Sequence, residues 1–239
     1  MIVTSLLPLI ADEDGVVAVR KPPGLPVVPG TGHDSGDCVR GRLERELGAR
    51  LWVVHRLDRD TSGVLLFART PEVHRALCLA FEERRVRKTY VAFTLGMPSP
   101  PEGRIATPLH PARRGKVRPA LPGEEGAWDA ATGYVVRKRW NLPGAESAMV
   151  EMHPETGRHH QIRAHLRSIG TPILFDRVYG RAARAATFAD APSQRLALHA
   201  SKLVVLVAGE ARLARTFEAP LPDDLTALLG WLDATSLPG

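Results

Sequence analysis

The chain of 239 residues carries 32 lysines and arginines against 26 aspartates and glutamates, a formal net charge of +6, with 44% hydrophobic and 24% charged residues. This excludes a disordered chain and fits a globular protein with one large core or two small ones. The positive balance points to a polyanionic partner, and no apolar run reaches the length of a membrane span. Cys38 and Cys78 form no CxxC pattern and read as reduced packing residues, which favours the cytoplasm. The N-terminal stretch lacks the basic start and small-residue cleavage site of a secretory leader.

In chain order, Gly15 to Val19 reads as a short strand leading into a Pro- and Gly-rich loop that begins at Lys21. Val39, Leu43 and Leu47 recur every four residues and predict an amphipathic helix that Gly48 closes. Between the apolar runs Leu51 to Val54 and Val64 to Ala68 lies the charged segment His55 to Asp60, with Thr61, Ser62 and Gly63 as turn chemistry. This reads as a polar loop held between two buried strands, a setting in which a rigid scaffold displays reactive groups. Taken alone, Arg56 and Asp58 could simply pair at the surface, since residues two apart share a face of an extended chain.

Thr70 is placed as an N-cap and Pro71 at the first helical position, and Val73, Ala76, Leu77, Ala80 and Phe81 form a helical stripe. Arg84, Arg85, Arg87 and Lys88 at its end suit the helix dipole or contact with RNA. Thr89 to Leu95 reads as a strand. Residues 110–126 have no hydrophobic period and many basic side chains, and read as a mobile insertion loop, either a solvated excursion or a phosphate-contacting arm.

Ala130 to Val136 and Ala148 to Met152 are strand candidates, with a turn at Pro154 to Gly157. The following segment predicts a helix with Ile162, Leu166 and Ile169 on one face and Arg163 and Arg167 on another. RLALHA (195–200) and SKLVVLVA (201–208) read as strands, Gly209 and Glu210 as a hairpin turn, ARLARTFEAP as the returning strand, and Asp223 to Leu232 as a short helix. Strands outnumber helices and hairpins link several of them. The expected class is therefore α+β, a mixed, largely antiparallel sheet flanked by helices rather than a doubly wound one.

Several chemistries lack their parts. His159, His160 and His165 are not spaced one helical turn apart as HExxH requires, so a metal site is not expected, and no phosphate-binding glycine loop or GxSxG elbow appears. What remains is Asp58 flanked by Arg56 and Arg59, a tyrosine after a basic segment, and an arginine-bearing helix. An ionised carboxylate can act as a nucleophile.

HRLDRDTSG at 55–63 is similar to the signature of the RluA-type pseudouridine synthases, which isomerise uridine in ribosomal or transfer RNA. The family pattern recurs in order as KPPGLPV at 21–27, RKTYVA at 87–92, TGRHHQIRAHLRSIGTPI at 156–173 and RLALHA at 195–200. It covers residues 15 to about 208. The resemblance implies a pseudouridine-synthase-like catalytic domain spanning 1–239, with a central RNA-binding cleft and no separate N-terminal RNA-binding module.

It also implies roles. Asp58 is the nucleophile position, Tyr90 packs on the target base and assists loss of the C5 proton, and Arg163 pairs with and orients the Asp58 carboxylate. Arg56 fills the space left by the flipped base, a step that requires extrusion from the stack. Leu196 or Leu198 supplies the apolar wall opposite Tyr90, or belongs to the core. Lys21 meets a backbone phosphate or an acid of the core, and His55 and Thr61 stand in the substrate-binding motif. Rearranging uridine needs no redox change and no group donor, so no cofactor is implied. The implied partner is an RNA stem-loop, with no membrane association and a monomeric enzyme.

Two positions depart from the pattern: Phe175 stands in PILFD where a glycine is usual, and His159 replaces a threonine or lysine. Two rival readings remain. One is a non-catalytic RNA-binding or ribosome-assembly protein retaining the fold, which intact Asp58, Tyr90 and Arg163 argue against. The other is a carboxylate-dependent glycosidase or base-removing enzyme, for which no second acid is placed.

Overall fold

The computed structural model describes residues 7–29, 37–180, 186–206 and 214–238. The chain divides into two compact units, Met1–Arg87 with Ala200–Pro220, and Lys88–His199 with Leu221–Gly239.

In the first unit, β1 (Leu9–Glu13), β2 (Val16–Lys21) and β4 (Ser62–Ala68) lie in that order, followed by β11 (Leu198–Leu206) from Ala200 on. The two-residue strand β3 (Trp52–Val53) pairs with β4, and β12 (Ala214–Glu218) pairs antiparallel with β11. Every residue of β4 is buried, as a run apolar on both faces demands. Gly63 in this strand has φ +124°, and a Cβ there would sit 2.2 Å from the Ala200 carbonyl oxygen. Only glycine lets the two backbones approach this closely.

Helix α1 (Val39–Leu47) ends at Gly48 in the left-handed conformation, as expected, and the Cys38 Sγ accepts from the Gly41 N–H at its start. Helix α2 (Pro71–Glu82) is capped by the Thr70 hydroxyl, which accepts from the Val73 N–H at 3.3 Å. Val16, Ala18, Val64, Leu66, Leu77, Ala80, Leu203 and Phe217 form much of this unit's core.

In the second unit, β5 (Val86–Leu95, in this unit from Lys88), β10 (Ala145–Pro154), β9 (Thr132–Leu142) and β6 (Glu102–Ile105) lie in that order, each neighbour antiparallel. Helices α3 (Gln161–Ser168) and α4 (Asp223–Thr235) contribute Ile162, Leu166, Leu225, Leu228 and Leu232 to a core shared with Phe93, Trp140 and Met152. The α+β class with a mostly antiparallel sheet holds.

Four local expectations change. Residues 110–126 are not a structureless loop: β7 (Leu109–Ala112) and β8 (Lys116–Pro119) form an antiparallel hairpin joined by a 3-10 turn at Arg113–Gly115. Leu109 and Val117 pack with Ala130, Ala164 and Tyr179, and that small core holds the hairpin. Arg87 and Lys88 do not end a helix, because α2 stops at Glu82, Arg84 turns the chain at φ +58° and both cations lie in β5. In place of two strands at RLALHA and the segment after it, one strand, β11, begins at Leu198 and runs unbroken to Leu206, with Lys202 facing Glu218 of β12. Ile169 lies beyond the end of α3 and is exposed rather than on its buried face. The turn expected at Gly209 and Glu210 lies outside the described residues.

Candidate active site

The residues singled out from the sequence fall into two sets, one in each unit. In the first unit the chain from His55 to Thr61 runs between β3 and β4 and is fixed at several points. Leu57 is buried between Arg56, which is exposed, and Asp58, which is half-buried. The His55 Nε2 accepts from the Leu66 N–H at 3.0 Å, which requires that nitrogen to be unprotonated, and its ring stacks on Phe81 with centroids 4.8 Å apart. The Thr61 N–H donates to the Asp58 carbonyl at 3.2 Å and closes a turn.

Lys21, 2% exposed, ends β2 rather than opening a loop. Its ammonium donates to the carbonyl oxygens of Pro22 and Arg59, each at 2.8 Å. Arg59 in turn donates from Nε to the Gly24 carbonyl at 2.9 Å. The Pro-rich segment and the Asp58 loop are thereby tied together. A buried ammonium needs such oxygens, since desolvation without them costs several kcal/mol, order of magnitude. The Thr61 hydroxyl is buried with no hydrogen-bond partner among the described residues.

In the second unit Tyr90 lies on β5 opposite Met152 of β10 and packs, part-buried, against the core that holds Leu196 and Leu198. Both leucines are 3% exposed. Arg163 on α3 is 6% exposed and forks onto Asp176, Nε to Oδ2 at 2.8 Å and Nη2 to Oδ1 at 2.9 Å. Burial pushes the Asp176 carboxyl up; the Arg163 hydrogen bonds and charge, with the N–H groups of Tyr179 and Val178, outweigh it and hold the group below its ordinary value of 3.8. The face of Tyr179 lies 5.2 Å from the Arg163 guanidinium carbon.

Asp176 sits in the departure noted in the sequence. Phe175 has φ +60°, the left-handed region, which explains why a glycine suits this position. The phenylalanine offsets the strain, of order 1–2 kcal/mol, by burying its ring edge-on against Phe188 at 6.3 Å. The turn still delivers Asp176 to Arg163.

Gln161 organises the stretch before α3. Its Oε1 accepts from the Thr156 hydroxyl at 2.6 Å and from the Arg158 N–H at 3.0 Å, and its Nε2 donates to the Ala131 carbonyl and the Thr132 hydroxyl. His165, fully buried, bonds the Thr132 hydroxyl through Nδ1 and the Thr107 carbonyl through Nε2. Burial lowers its pKa against the raising effect of the Thr107 bond, favouring the neutral ring. Asp176, Tyr179 and Gln161 were not singled out from the sequence. A buried arginine requires a carboxylate, and Asp176 is the acid of the PILFD turn.

Residues 15–168 match the family model described as RNA pseudouridylate synthase. The ribosomal large subunit pseudouridine synthase D of Nitrosomonas europaea is 35% identical over 93% of this chain and 64% of its own length. The dual-specificity RNA pseudouridine synthase RluA of Escherichia coli K12 is 36% identical, covering 90% of this chain and 93% of that protein. Among solved structures, human RNA pseudouridylate synthase domain containing 4 superposes with a TM-score of 0.74 at 26% identity, covering 95% of this chain and 93% of that one. With the signature loop pinned in place, the buried arginine set on its helix and relatives of this likeness along most of its length, the chain belongs to the RluA-type family of RNA pseudouridylate synthases.

Proposed function

We propose that this chain isomerises one or more uridines of a ribosomal or transfer RNA stem-loop to pseudouridine, with Asp58 as the nucleophile. The observation that supports this best is the Asp58 loop itself. The complete signature is present, and it is bound through the His55 ring, the Arg59 carbonyl and the Thr61 N–H with Leu57 buried, while Arg56 is exposed beside the half-buried carboxylate. A site built this way loses little entropy when it engages substrate.

The Asp58 carboxylate starts cleavage of the N1–C1′ bond, by attack on the sugar or by removal of a sugar proton. The base turns, C5 bonds to C1′, the C5 proton leaves and N1 gains one. Product and substrate are isomers, so no donor or acceptor of electrons enters. Tyr90 packs on the base, Arg163 orients Asp58, and Arg56 fills the space of the extruded base. Leu196 and Leu198 shape the floor beneath Tyr90, Lys21 and His55 act by holding the loop, and Thr61 closes its turn. The whole of 1–239 serves as one catalytic domain, a monomer without cofactor. Arg113 and Lys116 of the β7–β8 hairpin contact phosphate.

The test maps pseudouridines in total RNA from cells lacking the gene. Wild type restores at least one lost site and Asp58→Asn restores none. No lost site, or full restoration by Asp58→Asn, overturns the reading.

A further inference from the structure

Tyr179 joins more of the second unit than its place in a loop suggests. Its hydroxyl accepts from the Val117 N–H on β8 at 2.9 Å and lies 3.1 Å from the His160 Nδ1, to which its own proton can be given. His160 stacks on His159 with centroids 3.7 Å apart, and the His159 Nε2 bonds the Gly115 carbonyl in the hairpin turn at 3.0 Å. At the other end, the Tyr179 ring covers Arg163, its N–H donates to the Asp176 Oδ1 at 3.0 Å, and its carbonyl accepts from the Arg167 Nη1 at 2.8 Å.

We infer that Tyr179 is a positioning residue that couples the seating of the β7–β8 hairpin to the setting of Arg163, so that RNA engaged by the hairpin is sensed at the arginine. The inference rests on the role proposed above for Arg163. The phenol end belongs to the hairpin and the ring and backbone end to the arginine, and one rigid side chain with two torsions connects them. His159, where the family more usually has threonine or lysine, adds a second tie from the same segment to the hairpin turn. Three features carry the argument: a buried backbone N–H on β8 answered by a side chain 62 residues later in the chain, a cation set over an aromatic face, and a carboxylate held by the same residue's N–H.

The experiment uses the full chain and RNA transcripts bearing tritium at uridine C5, which is released as C5 bonds to C1′. Tyr179→Phe removes the hydroxyl and keeps the ring. It should raise KM about tenfold, the scale of one buried hydrogen bond lost, with kcat little changed. Tyr179→Leu also removes the ring from Arg163 and should lower kcat about tenfold beyond that. Hydrogen exchange of residues 109–119 should accelerate in both variants. Phe and Leu variants that share one kcat and KM, at wild-type values or shifted together, overturn the coupling, and so does unchanged exchange in the hairpin. If Tyr179→Leu does not fold, the KM and exchange of Tyr179→Phe decide. Wild type that releases no tritium overturns the function proposed above, and hairpin exchange with kinetics-free Arg163 side-chain NMR, shifted or unshifted in Tyr179→Phe, then judges the coupling by itself.

Discussion

The two units bury a cation by different means. In the first, the Lys21 ammonium donates to the carbonyl oxygens of Pro22 and Arg59. In the second, the Arg163 guanidinium forks onto the Asp176 carboxylate. Carbonyl oxygens are dipoles that never titrate. A carboxylate carries a full charge that strengthens the contact, and it is a group that acid can neutralise. The difference teaches which of the two regions should respond to pH and which loss should cost more.

The largest effect is expected from Arg163→Met. It strands a buried carboxylate and should cost about 3–5 kcal/mol of unfolding free energy, against about 1–3 kcal/mol for Lys21→Met, which takes a donor from the Pro22 and Arg59 carbonyls. Urea denaturation of both variants checks the ranking, and a costlier Lys21→Met would break the comparison. The pH response is smaller. Because the folded state depresses the Asp176 pKa below 3.8, its contribution is fully present above the unfolded value and is lost as pH falls through the folded one. Urea midpoints followed downward from about pH 6 through the Asp range should therefore drop at the acid end in wild type. Arg163→Met should weaken or remove the part of that drop due to Asp176, whereas Lys21→Met should keep it. Equal acid sensitivity in Arg163→Met and wild type would show that other carboxylates set the response.

Much of the fold was legible where local chemistry repeats. Val39, Leu43 and Leu47 with Gly48, and Thr70 with Pro71, state their helices in caps and period alone. The Asp58 loop was legible because charged residues interrupt two apolar runs. The β7–β8 hairpin was not, since each strand has four residues and turns one large apolar side chain inward, Leu109 and Val117, among basic neighbours. Its acid Glu124, held at about 2 by the Arg118 hydrogen bonds and the Leu121 N–H, is a contact that no periodicity announces. Likewise Ser201 and Lys202 look like a break between strands, but the Lys202 side chain stays in contact with solvent and pairs with Glu218 of the opposing strand, so one continuous strand carries it. The destination of Lys21 could not be read, because nothing local says that a lysine at the end of an apolar run will find the carbonyl of a residue 38 positions away.

The Gln161 amide makes two donations and two acceptances, to Ala131, Thr132, Thr156 and Arg158. No valence of that amide is spare, so its partners are ordered as a set: releasing one weakens the geometry of the other three. The segment from Thr156 to Gln161 should then open in a single concerted event instead of fraying residue by residue, and its backbone amides should exchange with one common rate.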